Sequence, residues 1–247
     1  MKLPSASTWI VGASSGIGAA LARELTGRGA RVAVSARRRE QLDELVAAGD
    51  ALLAATCDVT DAAATATAHA AVVDALGDLD LVVLAAGYWR RSDGRAWDTR
   101  EFDHHLDVNL RGLSHGIAAA LPAMLARGSG TIAGVASVAG YRGLPGAEYY
   151  GATKAAQINL LEALRASVAG RGVHVTTICP GFVRTEMTQG NDFPMPFIVE
   201  PEQAAAAIAD GLAADRHEIV FPRRMAVAMK AARWAPVGWW ARGVRRR

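Results

Sequence analysis

Tyr150 and Lys154 stand four positions apart in the run Tyr150-Gly-Ala-Thr-Lys154. Positions four apart share one face of a helix, so the phenol and the ammonium can point into the same cleft. A neighbouring cation favours phenolate and draws a tyrosine below its usual pKa of about 10. A phenol tuned in this way gives or takes a proton at neutral pH. Ser137, thirteen residues before Tyr150, adds a hydroxyl at a fixed distance along the chain. After Lys154 the apolar stretch Ala155–Leu164 has the pattern of a helix able to hold this pair in place.

The second chemical feature lies near the start. A short apolar strand, Thr8–Val11, runs into Gly12-Ala-Ser14-Ser15-Gly16-Ile17-Gly18, and Ala19–Leu25 then continues as a helix that Gly27 and Gly29 end. Strand, glycine-rich turn and helix make a dinucleotide-phosphate site. Gly12 permits the tight turn, Gly16 lets backbone approach a pyrophosphate, and Gly18 lets helix pack on strand. Three residues separate the first two glycines, where the commoner fingerprint has one.

This glycine spacing together with Ser137, Tyr150 and Lys154 resembles the classical short-chain dehydrogenase/reductase family, over about residues 6 to 222. The resemblance implies a catalytic set of Asn109, Ser137, Tyr150 and Lys154. Asp107-Val-Asn109 is similar to the family's helix asparagine, which holds a water in a proton relay to the lysine. Cys57-Asp58-Val59 looks like the adenine-contacting segment after the third strand. Ala86 and Gly87 fall in the family's turn after the fourth strand. Pro180, Gly181, Val183 and Thr185 are similar to the segment that binds nicotinamide. Two positions depart from the family pattern. Val11-Gly12 replaces Thr-Gly, and Leu84-Ala85-Ala86-Gly87 replaces Asn-Asn-Ala-Gly, without the asparagine amide that steadies the sheet there.

Cofactor choice rests on Val32-Ala-Val-Ser-Ala36-Arg37-Arg38-Arg39. At the end of the second strand of such a fold, an acid would accept a hydrogen bond from a free ribose 2′-hydroxyl and repel a phosphate. Ala36 stands where the acid would sit and arginines follow, so NADP(H) is expected over NAD(H), with Arg37 first and Arg38 second. The implied reaction interconverts a carbonyl and an alcohol. A regulator that binds NADP without catalysis is the alternative.

The elements that must position these groups follow from periodicity. Apolar runs at Arg31–Ser35, Ala51–Thr56, Asp80–Ala85, Thr131–Ala136, Val173–Cys179 and Glu218–Phe221 alternate with helical patterns, among them Asp61–Leu76, Phe102–Arg127 and Tyr149–Ala169. The expected fold is a single α/β domain of about seven parallel strands, doubly wound in the Rossmann manner, with helices on both faces. With 247 residues and 51% hydrophobic content, one large core is affordable without a second domain. Residues 1–222 would form the dinucleotide-binding and catalytic domain, with Thr185–Pro201 as an apolar lid. Together with Tyr88-Trp89, the lid points to a small to medium, hydrophobic substrate.

From Ile219 to Arg247 there are eight basic residues and no acid, so the net charge of +3 becomes −5 without them. This tail, 223–247, interleaves arginine with Trp234, Trp239 and Trp240. It suits either packing on a protein surface or peripheral contact with a membrane, the second implying a reductase of lipid-derived carbonyls. Nucleic acid is not expected as a partner, because the basic cluster at Arg37–Arg39 already has a use. Cys57 and Cys179 belong to strands five spacings apart and are expected to be reduced thiols in a cytoplasmic protein. His104 and His105 lack ligand spacing, no zinc cluster is visible, and a solvated helix face is expected for both. The apolar residues Ile158, Leu160, Leu161 and Leu164 cover more than one stripe. A homodimer or homotetramer joined through Leu160, Leu161 and Leu164 or their neighbours is therefore expected.

Overall fold

The structure, a computed structural model, describes residues 1–244. Arg245, Arg246 and Arg247 of the basic tail lie outside the described residues. Seven strands form one sheet among those described: β1 (Ser7–Val11), β2 (Arg31–Ser35), β3 (Leu53–Ala54), β4 (Leu81–Leu84), β5 (Gly130–Val135), β6 (Val173–Pro180) and β7 (Glu218–Phe221). Their order is β3-β2-β1-β4-β5-β6-β7 and every pairing is parallel. The order turns back on itself between β1 and β4, where a doubly wound sheet opens a crevice at its carboxyl edge.

Alternate side chains on each strand feed opposite cores. Ile10, Val32, Val34, Leu81 and Val83 pack under α1 (Gly16–Gly27), α2 (Arg39–Ala47) and α8 (Pro201–Ala213). In that layer α1 and α8 lie against each other, with Ala22 and Leu25 meeting the core that Ile208 and Leu212 complete. Trp9, Val11, Ala33, Val82 and Ile132 face α3 (Ala62–Leu76), α5 (Gly112–Arg127) and α6 (Glu148–Ser167). A smaller cluster of Ala136, Val138, Ile158, Cys179, Met225 and Met229 sits over the end of β6 and is roofed by α9 (Arg223–Trp234).

Several local expectations are corrected. The Ala51–Thr56 run pairs only at Leu53 and Ala54, although Leu52 and Ala55 still donate to the Val32 and Val34 carbonyls of β2. An edge strand with a single neighbour keeps a short ladder. Phe102–Arg127 is not one helix. The helical stretch starts earlier, at Thr99, and divides into α4 (Thr99–His105), capped by the Asp98 carboxylate, a π-helical turn over Leu106–Arg111, and α5. Leu161 is fully buried among the core residues of α5 and the sheet, and Leu164 is half-buried against the same core. Of the proposed interface leucines, only Leu160 is exposed. The apolar surplus on α6 arises because this helix serves two cores, Leu161 facing the sheet and Ile158 the cluster under α9.

Candidate active site

The glycine turn joins β1 to α1 under steric compulsion. Gly12 has φ +92°, and a Cβ there would overlap the Ala86 backbone nitrogen; one at Gly18 would run into the Gly12 carbonyl. Gly16, at φ +56°, faces the Thr185 side chain, which a Cβ would approach to 2.9 Å. These contacts bring the first turn, the end of β4 and the segment after β6 together at one edge of the sheet. Ser15 is the extended residue that precedes α1, and no side chain caps the first turn of that helix. Its N–H groups and the positive end of the helix dipole are open to an anion.

At the tip of β2, Arg38 reaches back over this turn. It donates to the Ser14 hydroxyl at 3.1 Å and the Ser15 hydroxyl at 2.8 Å, and forms an ion pair with Glu186 at 3.0 Å. Arg37 lies on the side of Asp58. Burial works to raise the Asp58 carboxyl, but hydrogen bonds from the Thr60 backbone and hydroxyl outweigh it, aided by Arg37, and hold it low. Arg38 rather than Arg37 therefore covers the glycine turn.

Ser137 follows β5 as the extended residue before a 3-10 turn over Val138–Gly140; its Oγ accepts from the Ala139 N–H at 3.1 Å. Tyr150 lies in the first turn of α6, half-buried, with the Trp89 ring edge-on at 5.2 Å between centroids. Lys154, one turn on, is buried, and its Nζ lies 5.4 Å from the Tyr150 ring centre. The expected electrostatics are corrected. Burial pushes the Tyr150 hydroxyl up to about 12, against an opposing contribution from the Ser137 side chain, and pushes Lys154 down to about 7. Desolvation outweighs attraction for both groups, since the buried ammonium donates to the Val135 carbonyl at 2.8 Å and Gln157 Oε1 at 3.0 Å rather than to the phenol.

Asn109 sits in the π-helical turn, fully buried. Its Oδ1 accepts from the Tyr88 N–H at 2.7 Å; its Nδ2 donates to the Tyr88 carbonyl and to Thr153 Oγ1, each at 3.0 Å. Gln157 Nε2 donates to the Asn109 backbone carbonyl, which ties that carbonyl to the helix of Lys154. His105 is also corrected. It is buried rather than solvated, accepts from the Arg90 N–H through Nε2, and packs its ring near Tyr88 and Tyr149. Gln157 and His105 were missed as partners; for Gln157 the available signal was a polar residue three positions after Lys154 on an apolar helix.

The glycine turn, Arg37, Arg38, Ser137, Tyr150 and Lys154 line a cleft of about 2710 Å³ that runs from the glycine turn past Ser137 and Tyr150. Single-ligand pockets hold roughly 300–1,000 Å³, so there is room for two molecules. The segment after β6, with α7 (Glu186–Gln189), closes one wall. Asn191 accepts from the Trp89 indole at 3.0 Å, and Asp192 pairs with Arg91. Met225 and Met229 of α9, and Trp239 and Trp240 of α10 (Val237–Val244), also reach it. The Trp240 indole donates to the Gly143 carbonyl at 2.7 Å. The described residues contain no group of three or more His, Cys, Asp or Glu side chains able to hold a metal ion.

A profile of the short chain dehydrogenase family matches residues 7–193. The chain belongs to that family. An uncharacterized oxidoreductase of Myxococcus xanthus is 39% identical over 231 residues, covering 92% of this chain and 91% of that one. A 2-(R)-hydroxypropyl-CoM dehydrogenase of Xanthobacter autotrophicus is 36% identical over 188 residues, 73% of this chain and 75% of its own length. A solved short-chain dehydrogenase from Streptomyces avermitilis superposes with a TM-score of 0.82 at 30% identity, covering 92% of each chain. As a short-chain dehydrogenase the protein is an oxidoreductase that works with a nicotinamide dinucleotide. The cleft fits that group, with a backbone turn that leaves no room for a Cβ at Gly12, Gly16 or Gly18, an uncapped helix N-terminus and two arginines at the tip of β2.

Proposed function

We propose that the protein is an NADP(H)-dependent oxidoreductase that interconverts a carbonyl and an alcohol on a small to medium, hydrophobic substrate. The observation that carries this reading is the convergence of Ser137, Tyr150 and Lys154 on one cleft whose far end is the glycine turn under Arg38. Gly12, Ser14, Ser15, Gly16, Ile17 and Gly18 would hold the phosphates, and Arg37 and Arg38 the 2′-phosphate. Asp58 and Val59 would meet the adenine, and Ala86, Gly87, Tyr150 and Lys154 the middle of the molecule. Pro180, Gly181, Val183 and Thr185 would hold the nicotinamide. Bound NADP(H) supplies or accepts the hydride.

The chain's own groups handle the proton and the developing charge. Ser137 donates a hydrogen bond to the substrate oxygen and stabilises its negative charge. In reduction Tyr150 gives its hydroxyl proton to that oxygen, and in oxidation it takes the proton back. Lys154 offers positive charge to the phenolate that forms. Asn109 fixes the π-helical turn behind Lys154. Trp89, Leu144, Phe182, Phe193, Met195 and Met225 give the substrate end an apolar lining, which supports a hydrophobic carbonyl over a sugar or a polyanion. The test is NADPH oxidation with a panel of aldehydes and ketones. Turnover that rises with substrate hydrophobicity supports the reading; NADPH binding with no turnover on any of them would leave a non-catalytic regulator.

One observation favours a second reading, in which this enzyme works at a membrane surface on lipid-derived carbonyls. Trp234 is 87% and Trp239 71% exposed, on helices whose only charges among the described residues are Arg223, Arg224, Lys230, Arg233 and Arg242. No helix among the described residues is long and apolar enough to cross a membrane, so contact would be peripheral. Removing the whole segment would also remove the buried Met225 and Met229. The cleaner comparison is therefore co-sedimentation of the full chain and its W234S/W239S variant with anionic vesicles. Equal sedimentation of the two counts against it. A cytoplasmic location suits the two free, buried cysteines, Cys57 and Cys179, and assembly through Leu160 on α6 and Leu125 on α5 suits a homodimer or homotetramer.

A further inference from the structure

We propose that Gln157 is a positioning residue of this centre: its carboxamide clamps Lys154 to the backbone carbonyl of Asn109, a link built entirely from protein atoms. The inference rests on the reading of Tyr150 and Lys154 given above. Gln157, Lys154 and Asn109 are all buried. Oε1 of Gln157 accepts from Lys154 Nζ at 3.0 Å, and Nε2 donates to the Asn109 carbonyl. The chemistry of the two ends dictates the orientation of the amide. An ammonium only donates and a carbonyl only accepts, so a group between them must accept on one side and donate on the other. A carboxamide does this from one rigid plane. Leucine would do neither, and a glutamate carboxylate would accept at both ends.

The clamp has two effects. An ammonium carries three N–H donors; the Val135 carbonyl and Gln157 take two, which leaves the third for the side of the cleft where Tyr150 lies. The Asn109 carbonyl is also occupied by Gln157, and the Asn109 side chain by Tyr88 and Thr153. The clamp thus fixes the Asn109 carbonyl relative to Lys154 while leaving its second lone pair open to a further donor. The titratable groups that face Lys154 are Tyr150 on its own helix and Cys179 on β6, whose thiol burial pushes up to about 12. Neither is charged at neutral pH, so the Gln157 oxygen is the main neighbour that can be altered to move the lysine.

The experiment compares Q157L and Q157E with the wild type in NADPH-dependent reduction, with melting temperature, NADPH binding by fluorescence and the pH dependence of kcat measured for each. Q157L removes the acceptor, and kcat should fall about tenfold at neutral pH, with the midpoint governed by Lys154 displaced downward by about one pH unit. Q157E places a carboxylate against the ammonium and should displace the same midpoint upward, whatever its effect on rate. Either variant alone decides the matter if the other fails to fold. Midpoints unchanged from the wild type, or displaced in the same direction in both variants, would overturn the clamp and leave Gln157 as packing. Y150F is run beside them. If it keeps wild-type turnover, the reading of the centre itself fails, whereas a dead Y150F with unmoved Gln157 midpoints rejects only the clamp.

Discussion

The Lys154 ammonium lies 5.4 Å from the centre of the Tyr150 ring, yet its hydrogen bonds run away from that residue to Val135 and Gln157. The pair is set for a proton to leave Tyr150 during turnover, not for a phenolate held in advance. Tyr150→Phe should keep NADPH binding while lowering the reduction rate at least ~100-fold, the range for loss of a general acid. Single-turnover kinetics with a titration of cofactor fluorescence check both halves. Turnover near that of the wild type would remove Tyr150 from the chemistry.

The two perturbed groups give opposite pH trends. Tyr150, held up to about 12, stays protonated through the neutral range, so oxidation, which needs that proton removed, should climb as pH rises. Lys154, held down to about 7, is charged only below that value, so reduction should decline as pH rises through it. Initial rates in both directions between about pH 6 and pH 10 read these trends. Reduction that accelerates across that interval contradicts the assignment.

Arg38 should decide between the two forms of the cofactor. It already spans Ser14, Ser15 and Glu186, and a phosphate would replace hydroxyl and carboxylate partners with a bidentate charged one. Arg38→Ala should lower kcat/KM for NADPH roughly tenfold to a hundredfold while NADH changes little. An unchanged NADPH-to-NADH ratio would transfer the role to Arg37 or deny it to both.

Adjacent leucines on α6 should separate stability from assembly. Leu161→Ala opens a cavity in the core between α5, α6 and the sheet and should cost about 2–5 kcal/mol, read from denaturant unfolding. Leu160→Arg touches no core and should leave the subunit's fold intact but dissociate an oligomer joined through α6. Light scattering that shows a 25.9 kDa particle for the wild type would already reject the assembly.

The sheet was legible because apolar runs of strand length alternate with helical ones. Ser137, Tyr150 and Lys154 were legible because their order and spacing survive in one dimension. What escaped depends on distance across the fold. No local pattern marks the π-helical turn that carries Asn109. Gln157 gains its meaning only when Lys154 and Asn109 are seen to meet it, and His105 looked exposed until Tyr88 and Tyr149 enclosed it. The sense of the Tyr150 shift was misjudged because charge can be read from residue types, while desolvation needs the neighbours that remove water. Leu161 and Leu160 look alike in sequence, and only the sheet beneath α6 tells them apart.

The pairing of α1 with α8 also bears on how the molecule is made. The helix that opens at the glycine turn finds its cover in residues 201–213, far along the chain. During synthesis the apolar flank of α1, with Ala22 and Leu25, must wait until residues 201–213 have left the ribosome. Contacts of such long sequence separation form late and slowly, and surface left open meanwhile invites aggregation or chaperones. Helix α1 is therefore secured only after α8 has emerged, and a nascent chain halted between the two would be a sticky product rather than a partial enzyme.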